Sequence, residues 1–378
     1  MRVQAQARPR FAIRRTGLPW PSAEQFAAFI RLSRFKFLLE SLITVVLGVT
    51  VAVYAGHPFR IGDWLLVQAF ISGTHLMTHY CNEYFDYPAD AAQQDPTGWT
   101  GGSRVLVQGQ LRPDVSLSAA FIMLFAMIAL LAAIPGGVAR GICVAILALA
   151  WLYTAPPVRL NYRGFGEVTT AGVLTVLTPI LACYVQADAI PALLTALMIP
   201  LFLIMAARMM VMNLIDRAAD LTVGKRTIAT ALSPRAVGLV FIGANAVAYG
   251  IVIILSGLRA VPLAAGIALL ATAPLAALAA WRLLHDPLRN TARAEGAAFR
   301  ATVHAAATGF AAAVGLVVAT AWRYRHDPSL GGSVAVCIGL ISAYTALQAA
   351  VQVSDRRRRH RVVVCEQTAA PETPLESA

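Results

Sequence analysis

The stretch HLMTHYCNEYFDYPAD, residues 75–90, ends an apolar run in four oxygen-bearing side chains, Asn82, Glu83, Asp86 and Asp90. A four-residue spacing predicts that Asn82, Asp86 and Asp90 share one helical face, about one turn apart. Glu83 falls about 100° off that stripe and reads as a surface or outer group. Stacked carboxylates repel one another unless cations lie between them. In a membrane setting each charge costs at least about 2.5–3.5 kcal/mol, so the arrangement calls for positive partners.

The surrounding chain supplies that setting. Its 378 residues are 58% hydrophobic and 13% charged, with a mean hydropathy of +0.65, which excludes an ordinary soluble domain. Ten apolar runs approach the ~20 residues of a membrane-spanning helix, at 37–55, 63–82, 115–134, 138–155, 168–187, 190–214, 237–256, 260–280, 302–322 and 331–352. Continuous Leu, Ala, Ile and Val runs exclude a β-barrel, whose strands alternate. With the N-terminus in the cytoplasm, Arg60, Arg140, Arg259, Arg323 and Arg325 fall outside, Arg208 lies within a span, and the other basic residues fall inside. The expected fold is therefore an all-α, polytopic membrane helix bundle of nine to ten spans in an inner or plasma membrane.

The net charge of +12 is spread over loops, so it reads as topology and attraction to anionic lipid rather than nucleic-acid binding. Arg14-Arg15 has no apolar core after it, so residues 1–36 read as a basic cytoplasmic arm leading into the amphipathic stretch FAAFIRLSRFKFLLES. The basic run SDRRRRHR opens a tail over 354–378 that is expected to end in disorder. The five cysteines show no metal or redox spacing and read as packing residues.

A second acidic segment, NLIDRAADLTVGKRT from Asn213, mirrors the first. Aligning Asp86 and Asp90 with Asp216 and Asp220 places each D-x-x-x-D after the second helix of a four-helix stretch. That pattern suggests two four-helix pseudo-repeats around a central cavity. Both segments lead into glycine and basic residues, Gly101-Gly102-Ser103-Arg104 in one case and Gly224-Lys225-Arg226 in the other. Oxygen ligands suit a hard divalent cation such as Mg²⁺, and glycine-flanked Arg and Lys suit phosphate oxygens. Carboxylates, Mg²⁺ and basic groups together describe a site for a lipid diphosphate. A single D-x-x-x-D at a helix end is an ordinary solvated cap; two on one membrane face are not.

A third polar loop, YTAPPVRLNYRGFGE, residues 153–167, lies on the same side. With the two acidic segments it resembles the UbiA superfamily of intramembrane prenyltransferases over about residues 25–320. The resemblance implies a cavity open sideways to lipid and two Mg²⁺ ions holding a polyprenyl diphosphate. It implies Asn82, Asp86 and Asp90 as ligands of one metal and Asp216 and Asp220 of the other. It places Arg104, Arg159, Lys225 and Arg226 by the diphosphate and Tyr153 near the reacting centre, with Asp86 and Asp216 central to catalysis. Ala89, Glu83 and Asn161 depart from the family's frequent residues. A span at 331–352 exceeds the usual nine, so the membrane domain is set at 37–322 and 323–353 is read as an added helix.

The implied reaction is ionisation of an allylic diphosphate and attack on C1 by an electron-rich acceptor. NEYFDY followed by GGSRVLVQG is most similar to the 1,4-dihydroxy-2-naphthoate type, used in menaquinone synthesis; another phenol, a tocopherol-like precursor or a non-aromatic lipid stays open. His75, His79 and Arg208 are candidates for the acceptor pocket, against buried, hydrogen-bonded histidines and an ion pair with the acidic cluster. Tyr84, Phe85, Met209 and Met212 are candidates for shielding the cation, against plain core packing. An ion-coupled transporter would place its acids at mid-membrane rather than at one face beside glycine-basic loops.

Overall fold

The structure, a computed structural model, describes residues 21–285 and 291–369, with side chains over 21–285 and 294–353. The basic arm over 1–20, the end of the tail over 370–378 and the side chain of Cys365 lie outside these residues. In chain order the helices are α1 (Ala23–Leu32), α2 (Leu38–Tyr54), α3 (Ile61–Phe85), α4 (Tyr87–Ala92), α5 (Pro113–Leu131), α6 (Gly137–Leu152), α7 (Gly166–Gly172), α8 (Thr178–Ala187), α9 (Ala192–Thr222), α10 (Ile228–Ala231), α11 (Pro234–Gly257), α12 (Leu263–Leu270), α13 (Ala273–His285), α14 (Thr291–Arg323) and α15 (Pro328–Ala369).

Each of the ten expected spans coincides with one helical rod. Eight stretches among the described residues are long and apolar enough to cross a membrane. Helix α6 is apolar but shorter, and α3 spans 25 residues while carrying His75, His79, Asn82 and Glu83. Helix α15 runs on through the basic stretch that follows the tenth expected span.

Helix α2 is buried over almost its whole circumference, as an apolar helix without a polar face should be. It packs against α8, α14, α15 and α3, while α9 packs against α11 and α14. Close approach is bought at glycine: a Cβ on Gly48 would lie 2.4 Å from Pro179 O and 2.8 Å from Ala182 Cβ across the α2–α8 contact. Four cysteines, Cys81, Cys143, Cys183 and Cys337, are buried and unpaired, in line with a packing role. Helix α15 lies against α2 and α14, with Phe310 and Tyr344 stacked at 6.2 Å between ring centres.

Two local breaks shape the interior. Between α7 and α8 the residues Val173–Leu177 widen into a π-turn. Pro179, which has no N–H to continue the ladder, follows directly. The chain also breaks at Asp86, where φ −94° and ψ 0° end α3 before α4 begins. The helix expected to run through Asn82, Asp86 and Asp90 is thus interrupted. Asp86 N nevertheless donates to Asn82 O at 2.8 Å and Asp90 N to Asp86 O at 3.0 Å, so the four-residue spacing carries across the break and all three residues line one cavity. Pro88 cannot donate within a continuing helix, and α4 restarts with it in its first turn.

Replacing Gly48 by Ala is expected to destabilise the bundle by about 1–3 kcal/mol through overpacking. Gly141→Ala, within α6 and with nothing within 4 Å of the added Cβ, is the matched control and should leave stability equal or raised by up to about 1 kcal/mol. Thermal unfolding in detergent checks both, and equal midpoints would contradict the close α2–α8 contact.

Candidate active site

A cavity of about 250 Å³ opens among α2, α3, α6, α7, the π-turn and α9. Its composition is divided. Ile71, Ile146, Leu149, Val173 and Leu174 form an apolar wall, whereas Asn82, Asp86, Asp90, Asp216 and Lys225 gather at one end. The two acidic segments, 130 residues apart in sequence, thus meet in space.

Lys225 joins them. Its Nζ lies 2.9 Å from Asp86 Oδ2 and 3.3 Å from Asp220 Oδ1. Burial opposes the ammonium, but these carboxylates outweigh it and hold its pKa well above the ordinary lysine value. Burial, with Asp86 and Glu83 alongside, pushes the Asp90 carboxyl well above the ordinary range. Asp220 itself is buried behind Lys225 rather than lining the cavity. Helix α9 continues unbroken to Thr222, so Asp216 and Asp220 lie on one continuous helix, without the break that interrupts the first motif.

The loop after α4 folds over this end. Gln93 Nε2 donates to Asp216 Oδ1 at 2.7 Å and to Ile215 O at 3.2 Å. Gly102 takes φ +67°, and a Cβ there would stand 2.2 Å from Asp90 Oδ2, so only glycine fits so near the carboxylate. Glu83, read as a surface or outer group, is not at the surface but buried behind the stripe, in the second of those roles. It accepts from Ser103 N and Oγ at 2.7 Å each and lies 3.6 Å from Arg34 Nη1. Its role is to fasten the Gly101–Ser103 turn to α3.

The third loop closes the same end. Arg226 N donates to Tyr162 O at 3.2 Å, drawing the two loops together. Glu167 accepts from Asn213 Nδ2 and Ile228 N, each at 2.9 Å, and so ties this loop to α9 and to α10. Tyr153 and Asn161 line the cavity, and both amide atoms of Asn161 are buried without a protein partner.

Of the four basic residues expected at the diphosphate, Lys225 alone lines the cavity. Arg104 donates to the carbonyl of Asp90, bracing the backbone beneath the carboxylates. Arg159 stacks 3.6 Å above the centre of the Tyr162 ring and reaches Phe85 O at 3.4 Å. Arg226 is exposed. The cavity's other cations are Arg34 and Arg208. Arg34 was not singled out by the sequence; its φ of +50° kinks the chain between α1 and α2, and its guanidinium sits 4.7 Å over Phe37.

His75, His79 and Arg208 all face the cavity, as do Met209 and Met212; Tyr84 and Phe85 do not. The rings of His75 and His79 are 4.6 Å apart. His79 Nδ1 lies 2.9 Å from the carbonyl of Ser33, which can only accept, so that nitrogen carries a proton. His75 Nδ1 lies 3.3 Å from Ser41 Oγ. Arg208 is not paired with the acidic cluster. Its two Nη atoms grip Glu40 at 2.5 and 3.1 Å, and Nε donates to Thr302 at 3.2 Å. The signal for this pair was legible: Glu40 and Arg208 are lone opposite charges, each inside an otherwise apolar span.

The family model for UbiA prenyltransferases matches residues 41–303, well over half of the chain. The chain belongs to the UbiA prenyltransferase family. A structure described as digeranylgeranylglyceryl phosphate synthase in membranes superposes with a TM-score of 0.56 at 16% identity, over 78% of this chain and 99% of that one. An apo UbiA homologue from Aeropyrum pernix K1 gives 0.51 at 18% identity, over 83% and 98%. A UbiA homologue from Archaeoglobus fulgidus bound to DMAPP and Mg²⁺ gives 0.49 at 14%, over 86% and 98%. The first two likenesses show a shared fold. No curated protein matches the chain in sequence. The all-helical membrane bundle and the prenyltransferase class expected from the sequence both hold.

Ser103→Ala removes one of two Ser103 bonds to the buried Glu83 carboxylate. The expected loss is about 1.5–3 kcal/mol of stability. Thermal unfolding of the purified protein measures it, and an unchanged midpoint would mean that the turn is not held by Glu83.

Proposed function

We propose that the protein transfers a polyprenyl group from an isoprenoid diphosphate to an aromatic or quinone-precursor acceptor within the membrane, with Mg²⁺ as cofactor. The observation that carries this reading is the meeting of both acidic segments and Lys225 at one end of a cavity whose other wall is apolar. A diphosphate head fits the first and a polyprenyl tail the second.

The residues present fit Mg²⁺. Asp86 Oδ1 and Asp220 Oδ2 are buried without a hydrogen-bond partner, and the surrounding donors are oxygens. Among the described residues no group of three or more His, Cys, Asp and Glu side chains stands ready as a complete cage. That suits an ion which takes one or two carboxylates and fills its shell with substrate phosphates and water. Asn82, Asp86 and Asp90 would hold one ion, and Asp216 and Asp220 a second. When bound, Mg²⁺ supplies Lewis-acid stabilisation of the departing diphosphate.

The chain's own groups do the rest. Lys225 and Arg34 bring positive charge to the head, where negative charge grows as the allylic C–O bond breaks. Tyr153 and Asn161 offer hydrogen bonds beside it, and the loop carrying Gln93 and Trp99 covers it against water. Ile71, Ile146, Leu149 and Leu174 would receive the chain, and the acceptor would approach along the face of His75 and His79. The acidic end would open to the cytoplasm, a reading that rests on the placement of arginine and lysine in the sequence. Assignment of 1,4-dihydroxy-2-naphthoate as the acceptor rests on the NEYFDY–GGSRVLVQG block alone.

Transfer of labelled geranylgeranyl diphosphate to a panel of phenolic acceptors by the purified protein tests the proposal. Activity should vanish with EDTA and return with Mg²⁺. Asp86→Asn and Asp216→Asn should each lower turnover by at least about 100-fold, on the scale of lost transition-state charge stabilisation. Wild-type rates in both variants would overturn the two-metal site. Lys225→Ala should lower turnover by at least about tenfold while Arg226→Ala stays within about twofold, because loss of a group that contacts developing charge raises the barrier by about 1.4 kcal/mol per decade. Equal losses in the two would contradict the assignment of Lys225 to the cavity.

A further inference from the structure

We infer that Glu40 is a specificity-determining residue of the acceptor side, selecting an acceptor that donates a hydroxyl hydrogen bond. The inference rests on the prenyltransferase reading above and adds to it the residue that selects, among aromatic acceptors, those with a free O–H.

Glu40 sits in α2 and lines the cavity with Ser41, His75, His79 and Arg208. Its carboxylate is oriented by two Arg208 bonds, at 2.5 and 3.1 Å, one to each oxygen. Arg208 is the deeper partner, its side chain 4% exposed against 18% for Glu40, so the carboxylate keeps more open surface than the guanidinium; Glu40 borders both this cavity and a smaller one lined by Met205, Thr302 and Tyr344. Each carboxylate oxygen has two acceptor positions, and Arg208 takes one on each. What remains is acceptor capacity with nothing to donate to it. His79 adds to this: with its Nδ1 proton committed to Ser33 O, the other ring nitrogen of a neutral imidazole can only accept. A ligand that completes this wall must bring hydrogen-bond donors.

The position fits an acceptor rather than the diphosphate. Arg208 lies eight residues before Asp216 on the continuous helix α9, about 12 Å along its axis. His75 lies seven residues before Asn82 on α3, about 10 Å. An aromatic ring fits between this wall and the acidic end. A phosphate group would meet the Glu40 carboxylate with like charge.

Binding in nanodiscs by calorimetry, under anaerobic conditions, tests the inference with 1,4-dihydroxynaphthalene and its dimethyl ether as probes. Wild-type protein should bind the dihydroxy compound at least about tenfold more tightly, or about 1.4 kcal/mol. In Glu40→Gln the ratio should fall below about threefold, on the scale of one charge-assisted hydrogen bond, while the Kd for geranylgeranyl diphosphate with Mg²⁺ stays within about twofold. Because Glu40→Gln leaves Arg208 buried without its counter-ion, the double variant Glu40→Met with Arg208→Met removes both charges and should show the same loss of discrimination. A tenfold preference retained in either variant, or no preference in wild type, overturns the role of Glu40. Failure of the wild type to bind geranylgeranyl diphosphate overturns instead the prenyltransferase reading on which it rests.

Discussion

Every feature of the site follows from one electrostatic constraint. Three aspartates converge at one end of a cavity in a bundle made for lipid, with Asp220 buried directly behind, and their charge has to be compensated. Lys225 does part of this by touching one carboxylate from each acidic segment, which also fixes the distance between α3 and α9. The unpartnered oxygens of Asp86 and Asp220 show that the compensation is incomplete within the protein. A site that holds more negative charge than its own cations neutralise is poised for cations that arrive with a substrate.

Around that cluster the loops are held by carboxylates of a different kind. Glu83 fastens the glycine turn, and Glu167 fastens the third polar loop to Asn213 on α9 and to the cap of α10. Both are buried in their protein contacts rather than turned to the cavity. Glu83 has both oxygens bonded by Ser103, whereas Glu167 takes both its bonds on Oε1 and leaves Oε2 buried without a partner, as Asp86 and Asp220 each leave one oxygen in the aspartate cluster. Glu40 belongs to neither set, since Arg208 anchors it and the cavity still sees it.

Much of this was legible in the sequence. Apolar runs of membrane length marked all ten rods, because length and hydropathy set a spanning helix with little help from context. The paired D-x-x-x-D elements, each leading to glycine and a basic residue, marked the acidic end, and the structure brings them together. Less legible was anything decided by backbone direction. Pro88 was visible, yet one unbroken helix was expected through it; α3 stops at Asp86 and α4 restarts, with Asn82, Asp86 and Asp90 all still on the cavity. The family resemblance placed Arg104, Arg159 and Arg226 at the diphosphate, but their side chains turn to Asp90 O, to Tyr162 and to solvent. Arg34 reaches the cavity only through a left-handed residue that no local pattern announces. Glu83 shows the converse: its angle kept it off the stripe, but burial follows from the loop that folds back on it.

The most direct measurement is a structure with Mg²⁺ and a non-hydrolysable thiolo analogue of geranylgeranyl diphosphate bound. The account predicts metal density between the phosphates and the carboxylates of Asp86 and Asp216, with Lys225 Nζ on a phosphate oxygen and the prenyl chain along Ile71, Ile146 and Leu174. A diphosphate bound outside this cavity, or Lys225 still bridging Asp86 and Asp220 with no metal beside them, would contradict it.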